Sequence, residues 1–196
     1  FERCGIPVVQ IEADSGAIGG KDSHEFIMPS EIGEDIFIHC PKCGYAANSE
    51  RAVFVRPPSP SEPPRPIEDV HTPGQKTIQD LVENLQITPE QTLKAVIYIA
   101  DGEMVFVTIR GDLEVNDIKL KRALSCNDLR LATDEEVAAA GIPAGSASAV
   151  GLKDIKSIAD ESINIGTNFV TGANKTDYPL LNVNTPRDLA PDLIAD

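Results

Sequence analysis

The chain has 196 residues, of which 41% are hydrophobic and 24% charged; 31 Asp and Glu against 17 Lys and Arg give a formal charge of −14 and a pI of about 4.5. That length can bury one good core or two small ones. No apolar run approaches the ~20 residues that span a bilayer, which excludes an integral membrane protein. A chain this acidic cannot hold long nucleic acid by charge alone, because phosphate affinity comes from Lys and Arg releasing counterions. A short piece delivered by another domain remains compatible with it.

Phe1-Glu2-Arg3 is neither a start nor the basic-then-apolar opening of a signal peptide, so the chain reads as part of a longer protein. The first segment, 1–56, alternates like β structure. Strands are expected at Ile6–Ile11, Glu25–Met28 and Asp35–Ile38, separated by Gly- and Ser-rich turns. The glycine-rich run Asp14–Gly20 lacks the Gly-Lys-Ser/Thr ending of a phosphate loop and reads as a turn. Cys40-Pro41-Lys42-Cys43-Gly44 is half of a zinc knuckle. With no second pair, it is read as a turn carrying two reduced thiols, and no metal site is expected. Cys4 and Cys126 are too scattered for a disulfide framework.

Residues 57–66, Pro-Pro-Ser-Pro-Ser-Glu-Pro-Pro-Arg-Pro, can neither donate to a sheet nor continue a helix. They mark a linker over 57–72, leaving a second domain at 73–184 and a short acidic tail, 185–196, with no assignable element. In the second domain Ile78, Leu81, Val82 and Leu85 have helical spacing. Thr88-Pro89-Glu90-Gln91 combines a cap, an N1 proline and a capping-box Gln. Asp101-Gly102 between two β-rich runs, Lys94–Ala100 and Met104–Ile109, predicts a two-residue hairpin. Asn116 caps a helix reaching Leu124, and Thr133-Asp134-Glu135-Glu136 is a capping box for a helix ending at Gly141. Further strands are expected near 155–158, 162–165 and 178–183. The pattern is that of an α+β domain around a mixed sheet.

Several ordered motifs then carry a resemblance. Ala13-Asp14-Ser15-Gly16-Ala17-Ile18-Gly19-Gly20, Ser23-His24-Glu25-Phe26, Gly33-Glu34-Asp35 and Cys40-x-x-Cys43-x-Tyr45-Ala46-Ala47-Asn48-x-Glu50 resemble the class II catalytic core of bacterial-type prolyl-tRNA synthetase just before its inserted editing domain. Thr72-Pro73, Lys76-Thr77-Ile78, Lys94, Arg110-Gly111-Asp112-Leu113-Glu114-Val115-Asn116, Ile158-Ala159-Asp160, Gly172-Ala173-Asn174, Asn182-Val183-Asn184 and Arg187-Asp188 continue the match. The resemblance implies a mixed-sheet editing domain of the Cys/Ala-tRNA(Pro) deacylase-like type, preceded by a partial class II β segment and followed by a return towards the core. The parent would ligate proline to tRNA(Pro) with ATP and Mg, as a cytoplasmic homodimer. The inserted domain would hydrolyse mischarged Ala-tRNA(Pro). A proline pocket rejects a smaller apolar residue only weakly, since each missing methylene is worth ~1–3 kcal/mol, so a second, hydrolytic sieve is needed.

The resemblance assigns Lys94 as the essential editing lysine, with a solvated surface lysine as the alternative. Gly141 to Leu152 resembles the editing loop, whose backbone N–H groups would hold the substrate carbonyl. Gly145 matches that loop, whereas Ala149 stands where the family has proline, which leaves φ unlocked. Asp112, Asn116, Gly141, Ser146, Ala149, Gly172, Asn174 and Pro179 are the expected substrate-binding positions. Asn116 reads equally as a plain N-cap, and Pro179 stands where the family often has histidine. His24 and Glu50 match the proline pocket of the parent core. Editing is expected to need no cofactor, metal or side-chain nucleophile, since His24, His39 and His71 all fall outside the editing segment. Water would attack, aided by backbone donors, Lys94 and the terminal ribose hydroxyl. Expected partners are the tRNA(Pro) 3′ end and the remaining synthetase domains, with no membrane. Ala149 and Pro179 also admit a second reading, an editing-deficient structural or acceptor-end binding module.

Overall fold

The computed structural model describes residues 1–16, 23–53, 62–74 and 77–196. The chain divides into two units, Phe1–Val55 and Arg56–Asp196. Gly19, Gly20, Lys76 and the first prolines of the expected linker lie outside the described residues.

The first unit is a four-stranded sheet of β1 (Val9–Ala13), β2 (Ser23–Ile27), β3 (Phe37–His39) and β4 (Ala46–Asn48), in the order β2-β1-β4-β3. β1 and β2 are antiparallel with Ile11 opposite Glu25, and β1 runs parallel to β4. Ile11, Ala13, Ala46, Ala47 and Ala52 are buried, but Phe26, Met28, Ile32 and Ile36 are more than half exposed. Small side chains make a thin core, as 55 residues with few aromatics dictate. β1 begins three residues later than its apolar run suggested, because Glu2–Cys4 form a 3-10 turn that Gly5 closes at φ 67°. Cys40 and Cys43 occupy the turn between β3 and β4, where the Gly44 amide donates to the Cys40 carbonyl over 2.9 Å.

The second unit is α+β. Its main sheet joins β6 (Leu93–Ala100), β7 (Glu103–Arg110), β8 (Leu129–Leu131), β9 (Lys156–Asp160) and β12 (Leu193–Ala195) in the order β12-β9-β7-β6-β8. β6 and β7 form the expected hairpin: Asp101 and Gly102 sit at φ 47° and 88°, the positive-φ pair that a type I′ turn requires. β9 runs parallel to both β7 and β12, so the sheet is mixed. A smaller sheet, β10 (Phe169–Gly172), β11 (Pro179–Val183) and β5 (Glu68–Asp69), is antiparallel. A parallel bridge between Thr92 and Val170 ties the start of β6 to β10. Two apolar clusters hold the unit. One is Leu93, Ala159, Ile163, Phe169, Val183 and Leu189; the other is centred on Tyr98, Val105, Val107, Leu120 and Ile158.

The helices start where their caps say. α1 (Ile78–Leu85) and α3 (Asp134–Ala139) each open on a complete capping box, at Thr77 and Thr133. Asn116 accepts from the Ile118 and Lys119 amides at the start of α2 (Asp117–Leu124). Pro89–Gln91 is a 3-10 turn rather than an α-helix.

Two expectations are corrected. The run 162–165 is not a strand: Asp160 caps the Ser162 amide at 2.8 Å, and Glu161–Asn164 turn as 3-10 with Ser162 and Ile163 both buried. The tail is not featureless, since β12 closes the main sheet. Residues 62–72, within the expected linker, are bonded to the second unit. Asn168 accepts from the Arg65 amide, Arg187 and Asn182 donate to the Arg65 and Pro66 carbonyls, and β5 pairs with β11. A proline cannot donate, but its carbonyl still accepts, and side-chain donors supply the partners that no ladder could. No described helix is long and apolar enough to cross a membrane.

Candidate active site

The bridge between β6 and β10 leaves a cleft of about 170 Å³ in the second unit. Its walls are the start of β6 (Thr92 to Ala95), the end of β10 (Val170 to Gly172), Tyr178 and Pro179 at β11, Ile78 and Leu81 of α1, and the backbone of Gly145 to Ala147. Thr72 and Thr77 complete the lining.

Gly172 makes this wall possible. A Cβ there would fall onto the Ser146 carbonyl and lie 2.6 Å from the Ala147 oxygen, so only glycine lets the 145–148 loop rest on β10. Asn174 then holds the loop by four hydrogen bonds. Its amide donates to the Ser146 carbonyl at 2.9 Å, and its Oδ1 accepts from the Ser148 amide at 2.8 Å. Its Nδ2 donates to the Ser148 and Val150 carbonyls at 3.0 and 3.1 Å. Asn174 sits at φ 53°, a left-handed conformation that Asn tolerates better than other side chains. Ser148 is buried, and its hydroxyl accepts from the Val150 amide. Without the proline that would lock φ at Ala149, this clamp gives the loop its shape; Ala149 itself packs on the Leu93–Phe169 cluster.

The same bonding leaves donors over. The Ser146 amide is taken by the Pro143 carbonyl and the Ser148 amide by Asn174, whereas among the described residues the Gly145 and Ala147 amides have no acceptor. Thr72 is 2% exposed, and its hydroxyl has no partner among the described residues. The buried Thr72 hydroxyl is unmatched at a cost in free energy that a polar ligand would recover, whereas Gly145 is exposed and Ala147 half-buried, which leaves their amides open to a ligand at the cleft.

Lys94 brings the positive charge. It stands in β6 opposite Ile109 of β7, and its ammonium donates to Glu114 Oε1 at 2.6 Å. The Lys94 side chain is 18% exposed and that of Glu114 is 89% exposed, so one partner is sheltered in the cleft wall and the other lies in solvent. A pair of this kind is worth only ~0–1 kcal/mol, and an incoming anion can displace the carboxylate at little cost.

Lys94, Gly145, Ser146, Gly172 and Pro179 therefore converge on one cleft, while other expected positions do not line it. Asp112 makes a bidentate pair with Arg110, with contacts of 2.5 and 2.8 Å, and this carboxylate raises the guanidinium's pKa further. The Asn116 side chain is engaged as the N-cap of α2. Gly141 closes α3 at φ 72°. In the first unit His24 is exposed on β2 opposite Glu12, and Glu50 accepts from the Ser49 hydroxyl at 3.0 Å. Thr72 and Tyr178 were not anticipated as cleft residues. Nor was His71 expected against a cleft residue: the Val70 and Thr72 amides donate to the Pro179 and Asp177 carbonyls, which sets His71 against Tyr178. No local pattern marks such a residue, because its neighbour is distant in sequence.

Residues 72–189 match the family model of the aminoacyl-tRNA editing domain, a span that contains every residue lining the cleft. The chain belongs to the aminoacyl-tRNA editing domain family. Over its whole length it is also 58% identical to a proline–tRNA ligase of Dehalococcoides mccartyi, and 43% identical to one from Moorella thermoacetica and 44% to one from Geobacter metallireducens. It spans about a third of the length of these relatives: 34, 35 and 34% respectively. Two crystal structures share the editing-domain fold at low identity. Hypothetical protein APE2540 superposes with a TM-score of 0.58 at 18% identity, covering 66% of this chain and 90% of that one. A protein described as a trans-editing enzyme for prolyl tRNA synthetase superposes with a TM-score of 0.54 at 19% identity, covering 60% and 76%.

Proposed function

We propose that this editing domain hydrolyses the ester of mischarged Ala-tRNA(Pro), as part of a proline–tRNA ligase that charges tRNA(Pro) with proline using ATP and Mg. The observation that carries the reading is the meeting of Lys94 with the unpaired Gly145 and Ala147 amides at one cleft. Ester hydrolysis develops negative charge on the carbonyl oxygen. Main-chain donors already fixed in place stabilise that charge without reorganising at the moment of reaction. The Lys94 ammonium is suited to the terminal phosphate or ribose of the acceptor end, exchanging Glu114 for the ligand. The cleft volume of about 170 Å³ is well below the ~300–1,000 Å³ of sites for drug-sized ligands, which suits a small aminoacyl group with its nucleotide at the mouth. Water is the attacking group in this reading, and the terminal ribose hydroxyl is its partner; ATP and Mg serve only the ligation carried out elsewhere in the cytoplasmic, dimeric parent.

The test is deacylation of Ala-tRNA(Pro) by the full ligase. Lys94→Ala is expected to reduce ester loss to the uncatalysed background while Pro-tRNA(Pro) formation persists. Equal background-level ester loss in the parent and the variant would remove the hydrolytic reading.

A further inference from the structure

Outside the catalytic wall, one cluster combines aromatic faces with positive charge. The His71 and Tyr178 rings are stacked with centroids 4.8 Å apart and planes 27° from parallel. The Lys175 ammonium lies 3.5 Å from the Tyr178 ring centroid. His71 and Lys175 are exposed, and Tyr178 is half-buried and lines the cleft. The arrangement is set by two main-chain bonds across the segments, the Val70 amide to the Pro179 carbonyl and the Thr72 amide to the Asp177 carbonyl at 2.9 Å, and by the Gly74 amide donating to the Asp177 side chain at 3.2 Å. Cross-strand aromatic pairs in such a register stabilise a sheet edge, but burial would serve that end better than exposure. In a chain with 31 acidic and 17 basic residues, a cation over a tyrosine ring that lines the cleft and is itself stacked on a histidine departs from the general balance.

We propose that His71, Tyr178 and Lys175 form a stacking platform for a base of the single-stranded segment next to the aminoacylated adenosine. This rests on the editing reading for the identity of the ligand. Single strands are gripped by bases stacked on aromatic faces and by cations that track the backbone, a mode that tolerates sequence. The exposed ring of His71 continues the stack outwards from Tyr178, and Lys175 stands within reach of a neighbouring phosphate. The cleft takes the aminoacyl group; the platform takes the next base and fixes the direction from which the strand arrives.

The experiment uses the full ligase and an acceptor-stem minihelix carrying 2-aminopurine beside its terminal adenosine, whose fluorescence falls when it stacks. Binding is expected to quench the probe in the parent. His71→Ala is expected to weaken binding about 5–30-fold and lift the quench, consistent with the loss of one base–aromatic stack. His71→Phe is expected to restore both. Lys175→Gln is expected to lower the salt dependence by about one counterion with the quench retained. Unchanged quench and affinity in His71→Ala, with an unchanged melting temperature, overturn the platform. Deacylation of Ala-minihelix measured alongside separates the two readings. Hydrolysis by the parent together with a quench and affinity indifferent to His71→Ala leaves editing intact and removes the platform. A His71-dependent quench in a ligase that hydrolyses nothing leaves the platform and removes editing.

Discussion

Replacing Asn174 isolates the force that shapes the editing loop. Asn174→Ala deletes one acceptor, used by the Ser148 amide at 2.8 Å, and one amide donor shared by the Ser148 and Val150 carbonyls at 3.0 and 3.1 Å. Three hydrogen bonds at ~0.5–1.5 kcal/mol each give roughly 1.5–4.5 kcal/mol as an upper bound. Water reaches part of this turn and can replace some of them, because Asn174 itself is exposed. The left-handed φ of 53° adds ~1 kcal/mol of strain for alanine. A net loss of about 2–4 kcal/mol follows. Two companion substitutions divide that sum. Asn174→Gly removes the side-chain bonds but relieves the strain, so it should lose about 1 kcal/mol less than alanine. Asn174→Asp keeps the bond from Ser148 and replaces the donor with a charge facing two carbonyls, so it should not rescue the loop. Urea unfolding of the full-length protein, followed by a probe in the editing domain, measures the stability series. On the proposed reading, deacylation of Ala-tRNA(Pro) reports the geometry, and all three variants should lose turnover by at least tenfold because the Gly145 and Ala147 amides are no longer held in place. Parental stability and turnover in Asn174→Ala would show that burial of Ser148, not the clamp, shapes the loop.

Two further outcomes test the local physics. Gly172→Ala sets a methyl group against the Ser146 and Ala147 carbonyls, both main chain, so the loop must move; a stability loss of ~1–3 kcal/mol with loss of deacylation is expected in the same unfolding and ester assays, and a silent variant would contradict the close approach. Arg130 pairs with Glu136 at 2.7 and 2.8 Å and holds that carboxyl down to about 2. A carboxyl lowered on folding contributes stability above its ordinary range and loses it as pH falls towards 2. The urea midpoint of the parent should therefore exceed that of Glu136→Gln at pH 7, and the gap should close by pH 2; a gap independent of pH refutes the linkage.

Much of this domain was legible wherever structure is written within a few residues. Thr77 and Thr133 bind amides three positions on, Asn116 binds those of Ile118 and Lys119, and Asp101-Gly102 adopts the positive-φ pair of a tight hairpin. These are short-range steric and hydrogen-bonding choices, and they need no distant partner. The short strands behaved otherwise. β5, β8, β10 and β12 are two to four residues long and exist only because another strand offers its edge, while Ser162-Ile163, apolar and alternating enough for a strand, is turned by the Asp160 cap.

The functional cleft divides along the same line. Family likeness pointed to Lys94 and to the 141–152 loop as separate stretches of sequence. Tertiary structure supplied their meeting: a bridge from Thr92 to Val170 brings β6 to β10, and the missing Cβ at Gly172 lets the loop close on the strand. It also left Asp112 and Asn116 off the cleft lining, bonded to Arg110 and to the start of α2, set Thr72 in that lining and stacked His71 on Tyr178. A side chain's type sets what it can bond. Which group stands within 3 Å of it depends on how the whole chain packs, and no local pattern encodes that distance.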